Sequence, residues 1–231
     1  MISAQTTRVV IIGASGRMGS SLLQLLPEYP QLTLHGTVSS ADCANLERVL
    51  QRGGLAISFS SAASAAAQVR ACAAAGVPLV LGTTGLGPEM PTIFEQAARL
   101  IPLLVAANTS LGVTVLLELV RRASSALGTA FDIQIQDTHH RAKADAPSGT
   151  AVALGAAAAE AVGGSGRVGY ASLRGGDVVG EHQVHFLGAG ERLLLAHSAT
   201  DRSIFARGAL QAGLWLARQR PGNYRMADSL T

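Results

Sequence analysis

Apolar residues in the first half of the chain come in short runs separated by stretches of helical periodicity. Residues 8–12, 32–38, 55–59, 77–81 and 103–106 are β-branched or leucine-rich, the form taken by strands buried on both faces of a parallel sheet. Segments 20–26, 44–51, 62–75 and 88–100 lie between them and read as helices, the first ended by Pro27 and the third by Gly76. Such alternation predicts an α/β doubly wound parallel sheet of Rossmann type over residues 1–109. Residues 110–127 follow as a longer helix, with Leu111, Val115, Leu119 and Ala123 on one stripe. The pattern then changes. Strand-like segments cluster at 131–138, 170–174, 182–187 and 192–197, interrupted by one long helix at 148–162 and a glycine-rich loop at 163–166. This predicts an α+β domain over 110–203 with an open mixed or antiparallel sheet, and an amphipathic helix at 204–218 closes the chain.

Three turns in the first region fall where such a sheet binds ligands, at the carboxyl ends of its strands. The first strand runs into Gly13-Ala14-Ser15-Gly16-Arg17-Met18-Gly19. Gly13 permits a tight turn, Gly16 lets a pyrophosphate approach the backbone, and Gly19 allows the helix to pack on the strand. The expected ligand is a dinucleotide. Gly82-Thr83-Thr84-Gly85 follows the fourth strand and Ala106-Ala107-Asn108-Thr109 the fifth.

The densest chemistry lies in residues 139–150, His-His-Arg-Ala-Lys-Ala-Asp-Ala-Pro-Ser-Gly-Thr. Of 18 basic residues, 17 are Arg and Lys143 is the one Lys. An ammonium can release a proton where a guanidinium cannot, so a position that stays Lys in an Arg-biased chain points to Lys chemistry. Pro147-Ser148 before an Ala-rich run predicts a helix capped by Ser148, which leaves the amides of Gly149 and Thr150 to bind a carboxylate or phosphate.

The string His-His-Arg-x-Lys-x-Asp-x-Pro-Ser-Gly-Thr-Ala resembles that of the dihydrodipicolinate reductases, the 4-hydroxy-tetrahydrodipicolinate reductases of lysine and diaminopimelate biosynthesis. Gly-Ala-Ser-Gly-Arg-Met-Gly resembles the same family, as do Gly175-Gly176-Asp177, Gly180-Glu181-His182 and Gly190-Glu191-Arg192. The resemblance spans nearly the whole chain, with shortened connections before Leu55 and between Val162 and Tyr170. It implies that His139 and Lys143 are the acid groups. His140, Gly149 and Thr150 would hold substrate, with Arg202 as a further carboxylate ligand. Gly13 to Met18, Ser39, Ser40, Gly82, Thr83, Thr84 and Ala106 to Thr109 would line the nicotinamide nucleotide. It also implies a tetramer built on the second sheet and a C-terminal segment, 204–231, that returns to the first domain. This chain departs from the family at Gln134 and Asp137, where two Glu are favoured, and at Thr109, where a large apolar residue is usual.

Composition narrows the alternatives. The chain is 48% hydrophobic, and only 14% of its residues are charged, against roughly a quarter in an average domain. Much surface is therefore expected to be hidden between subunits. A net charge of +3 from scattered Arg, with 4% aromatics, argues against nucleic acid. No apolar run spans a membrane and no signal-peptide layout opens the chain, so a cytoplasmic enzyme is expected. Cys43 and Cys72 lack metal-ligand spacing, and no metal is expected. His182, His185 and His197 read as structural or interface residues. A semialdehyde-type oxidoreductase would need a cysteine nucleophile or acid pair instead, and a nucleotide sensor would not need Lys143. At the end of the second strand the acid that binds the ribose of NAD is missing: the sequence there is Val38-Ser39-Ser40-Ala41, and the first carboxylate is Asp42. With Arg17 near by, NADPH is expected to serve at least as well as NADH.

Overall fold

A computed structural model describes residues 6–39, 45–164 and 168–230. Ser40, Asp42 and Cys43 lie outside the described residues. In chain order the strands are β1 (Thr7–Ile12), β2 (Leu32–Val38), β3 (Leu55–Ser58), β4 (Leu79–Leu81), β5 (Pro102–Val105), β6 (Asp132–His139), β7 (Val168–Arg174), β8 (Gly180–Leu187), β9 (Arg192–Ala199) and β10 (Gly222–Tyr224). The α-helices are α1 (Arg17–Leu25), α2 (Leu46–Leu50), α3 (Ala62–Ala75), α4 (Met90–Ala98), α5 (Leu111–Leu127), α6 (Gly149–Ala161) and α7 (Ser203–Leu216). No described helix is long and apolar enough to cross a membrane. The chain forms two compact units, residues 1–110 with 203–231, and residues 111–202.

The first unit is a six-stranded sheet in the order β10-β5-β4-β3-β1-β2, parallel throughout. Its central strands are apolar without interruption because both faces are covered: Val9 to Ile12 and Leu55 to Ile57 are buried. The chain leaves β1 toward β2, then crosses back so that β3 lies on the other flank of β1. Strand order reverses there, and the reversal opens a crevice at the carboxyl ends of β1 and β3. Helix α7 packs on β3, β4, β5 and α1 with a face of small residues, among them Ala206, Ala209 and Ala212. Strand β10, which pattern alone does not predict, adds to the β5 edge. Gly-Asn-Tyr has no apolar run to betray it; the pairing comes from backbone hydrogen bonds.

The second unit is a mixed sheet in the order β7-β6-β8-β9. Strands β6 and β7 are parallel, while β6–β8 and β8–β9 are antiparallel. One face is covered by α5 and α6, where Leu116, Val120, Leu154 and Ala158 bury Ile133, Ile135, Val184 and Phe186. Alternation along β6 and β8 then dictates the rest: Asp137, His139 and His182 must share the covered face, and all three are buried. The opposite face carries Gln134, Gln136, Gln183, His185, Leu173 and Leu194, and the last two are more than half exposed.

Candidate active site

Buried polar side chains on an otherwise apolar face need partners, and Asp137 is saturated with them. Its Oδ1 accepts from the Ser172 hydroxyl at 2.6 Å and from the Ser148 amide at 3.4 Å. Its Oδ2 lies 2.8 Å from His139 Nδ1 and 2.9 Å from Arg174 Nη1. Burial alone would raise the pKa of this carboxyl, but the hydrogen bonds from Ser172, Ser148, Arg174 and His139 outweigh it and hold Asp137 below its ordinary value. An ionised Asp137 fixes the tautomer of His139. Nδ1–H donates to the carboxylate, which leaves Nε2 as the nitrogen able to exchange a proton with a ligand. Gly180 keeps that nitrogen open, since a Cβ built on it would stand 3.0 Å from Nε2. Burial lowers the His139 pKa, opposed by the Asp137 bond and reinforced by the positive charges of Lys143 and Arg174.

Strand β6 ends at His139 and the chain enters a loop. The Lys143 amide donates to the His140 carbonyl at 3.1 Å, a turn that places His140, Arg141 and Lys143 beside the strand end. Among its sequence neighbours Lys143 has Arg141 and two imidazoles, yet its side chain finds a carboxylate: Nζ lies 2.8 Å from each oxygen of Asp145. A cis Ala146–Pro147 bond leads to Ser148, the N-cap of α6, whose hydroxyl accepts from the Ala151 amide at 3.2 Å. Gly149 and Thr150 form the first turn of α6, where helix geometry gives amides no partner further back in the helix. An anion placed there also meets the positive end of the helix dipole. Arg202 is exposed just ahead of α7 and takes no part in the hydrogen bonds around Asp137.

His182, read from sequence as a structural or interface residue, belongs to this cluster. Its Nε2 lies 3.1 Å from the Ser148 hydroxyl and its ring meets His139 edge-on at 5.2 Å between centroids. Burial, with the charge of a protonated His139, pushes its pKa down to about 4. Ser172 and Arg174 were equally hidden from sequence reading. Strand register delivers all three: Asp137 pairs with Ser172 on β7 and with His182 on β8, and His139 pairs with Arg174.

At the carboxyl edge of the first unit, the turn after β1 is locked by the Gly13 amide on the Val38 carbonyl at 2.8 Å. Gly13 has φ +83°, and a Cβ there would fall on the Phe59 carbonyl, so only glycine fits. Gly16 is the N-cap of α1 without a side-chain cap, and Ser15, Gly16 and Arg17 are exposed. Bare amides at a helix start beside an exposed guanidinium fit a dinucleotide phosphate. Thr83 is buried, its hydroxyl 3.4 Å from both the amide and the carbonyl of Ser60, whereas Thr84 and Ala107 are exposed. Asn108 turns inward to accept from the Ser110 amide at 2.9 Å. Thr109 is buried too, donating to the Phe205 carbonyl at 2.6 Å. Its side chain therefore ties the turn to α7, and only its backbone remains for a ring to lie against.

A glycine-turned parallel sheet, carried with a second unit in which a buried His–Asp pair stands beside a lysine and a helix N-terminus, defines a class: the two-domain Rossmann-type oxidoreductases. Comparison narrows it. The family profiles described as Dihydrodipicolinate reductase, N-terminus, and Dihydrodipicolinate reductase, C-terminus, match residues 7–109 and 112–230. The chain is 40% identical to 4-hydroxy-tetrahydrodipicolinate reductase of Anaeromyxobacter dehalogenans over 263 aligned positions, 97% of each chain. It is 45% identical to the enzyme of that name from Stenotrophomonas maltophilia, covering 96% of this chain and 97% of the relative. A solved dihydrodipicolinate reductase with dipicolinate bound, from Paenisporosarcina sp. TG-14, superposes with TM-score 0.79 at 19% identity, over 95% and 97% of the two chains. The chain belongs to the dihydrodipicolinate reductase family.

Proposed function

We infer that the protein reduces 4-hydroxy-tetrahydrodipicolinate, a cyclic imine dicarboxylate, to tetrahydrodipicolinate, with hydride taken from NADPH or NADH, a proton taken up and the 4-hydroxyl lost as water. The observation that carries this reading is the Asp137–His139 pair set beside Lys143 and the α6 N-terminus: an acid, a second donor and an anion site within one strand end and one loop. The bound nicotinamide would supply the hydride. Ser15, Gly16, Arg17 and Met18 at the first turn, with Gly82, Thr84 and Ala106 to Asn108, are the residues that would hold it, joined by Ser39 and Ser40.

The roles of the other side chains follow from their chemistry. The substrate's carboxylates meet the amides of Gly149 and Thr150, the His140 imidazole and, as a further ligand, Arg202. In the free protein burial holds His139 below the ordinary histidine value, so its imidazole is mostly neutral at pH 7. A dianionic ligand beside it favours the protonated form, and Nε2 then donates to the carbon or nitrogen left electron-rich by hydride addition. Lys143 leaves Asp145 for the ligand, donates a second hydrogen bond and offsets developing negative charge.

The same reading makes the enzyme cytoplasmic and tetrameric. The open face of the second sheet, with Leu173 and Leu194 exposed on the side that carries Gln134, Gln136 and Gln183, supports association through that face. Steady-state oxidation of NADPH and NADH with freshly generated cyclic imine tests the reaction directly. Absence of turnover with either nucleotide would end this reading.

A further inference from the structure

Arg174 is the last residue of β7 and stands opposite His139 in register. Its Nη1 lies 2.9 Å from Asp137 Oδ2, the same oxygen that holds His139 Nδ1. Its Nη2 donates to the Asp145 carbonyl at 2.7 Å, and the Asp145 carboxylate in turn holds the Lys143 ammonium. The turn after it is sewn to the same place, with the Gly175 amide on the His139 carbonyl at 3.0 Å and the Arg141 amide on the Gly176 carbonyl at 3.3 Å. The side chain is 17% exposed, and among the described residues its buried Nε has no partner. Its planar fork reaches both targets at once, Asp137 through Nη1 and the Asp145 carbonyl through Nη2.

We propose that Arg174 is a positioning residue for both donor arms of the site, fixing the carboxylate that orients His139 and the main chain whose side chain holds Lys143. The proposal rests on the roles given to His139 and Lys143 above. Four titratable or charged groups face the His139 ring: Asp137 on its own strand, Lys143 from the loop, Arg174 from β7 and His182 from β8. Arg174 both competes for Asp137 Oδ2 and adds positive charge, so its removal must raise the proton affinity of His139.

The test is an NMR titration of the His139 imidazole without substrate in wild type, Arg174→Met and Arg174→Lys, assigned with His139→Gln, alongside kcat and KM. In Arg174→Met the His139 titration moves to higher pH and kcat falls by about a hundredfold. In Arg174→Lys the charge remains and the titration stays near wild type, while kcat is still lowered about tenfold or more because the second arm is lost. An unmoved titration in Arg174→Met, or turnover near wild type in both variants, overturns the proposal even if thermal stability drops. Should the Met variant not fold, turnover of Arg174→Lys decides by the same standard. Because the titration needs no substrate, a shift in Arg174→Met with wild-type protein inert toward the cyclic imine would refute the assigned reaction and leave the positioning role standing.

Discussion

At the scale of single residues the site is an arrangement of proton affinities. Removing His139 or Lys143 by substitution with Ala should lower kcat by roughly two to four powers of ten, the range for loss of a general acid, with little change in nucleotide affinity. Lys143→Arg should be nearly as poor, since it keeps charge but no transferable proton. Steady-state kinetics checks both, and losses under about tenfold for both Ala variants would sink the assignment. His182 makes a separate prediction. Its pKa of about 4 lies below the ordinary 6.5, so between those values the unfolded chain binds a proton that the folded chain refuses. Its contribution to stability is complete above pH 6.5 and is lost as pH falls from 6.5 to about 4, a change on the order of 3 kcal/mol. Urea denaturation at pH 7 and pH 4.5 should show the fall, and His182→Phe should reduce it, His139 and His197 accounting for part of the remainder. The dense run from His139 to Thr150 was legible because its members are neighbours in sequence. Arg174, Ser172 and His182 were not, since strand register alone carries them to Asp137. The departure at Gln134 and Asp137 also resolves by register. Asp137 faces the helices and holds His139, while Gln134 faces the open side and lies over Gly169.

At the scale of elements, α6 links the proposed substrate site to the core. Its Ala-rich sequence lets it lie buried against the sheet, with Ala151, Leu154, Ala157 and Ala158 inaccessible. Its first turn is tied down by one hydroxyl that serves the Ala151 amide and His182 together. Ser148→Ala should cost about 1 kcal/mol of stability for the lost cap. It should also raise KM for the imine more than it lowers kcat, because the amides it steadies are the proposed carboxylate ligands. A thermal melt and a KM measurement check the two halves, and an unchanged KM would detach the helix start from substrate. Element type was readable where apolar runs were long, and least so at the ends. Strand β8 begins at Gly180 rather than 182 because Glu181 pairs with Thr138 and Ser198 across the sheet, contacts that a polar residue does not advertise. Helix α4 begins at Met90, since Gly87 and Pro88 form a turn that closes on the Met90 amide.

At the scale of the whole molecule, the proposed tetramer predicts a mass near four times the 23.6 kDa chain by light scattering. A charged pair placed on the open face, Leu173→Asp with Leu194→Asp, should convert it to smaller species, and an unchanged mass would place the interface elsewhere. Nucleotide preference is a second property at this scale. With Ser39 and Ser40 where a ribose-binding acid is usual, kcat/KM for NADPH should at least equal that for NADH. A preference for NADH above about tenfold, roughly 1.4 kcal/mol, would mean that Asp42 or another acid reaches the ribose. The sheet of the first unit, finally, is not finished by the stretch of chain that starts it. Helix α7 and strand β10 come from residues 203–231, after the whole second unit. On the ribosome, β5 emerges with a naked edge and with β3 and β4 uncovered on one face, and it must wait about a hundred residues for α7 and about 120 for β10, at 5–20 residues per second roughly 5–25 s. A chain stopped after Arg202 should therefore remain in that unsheltered state and be recovered in inclusion bodies or bound to chaperones.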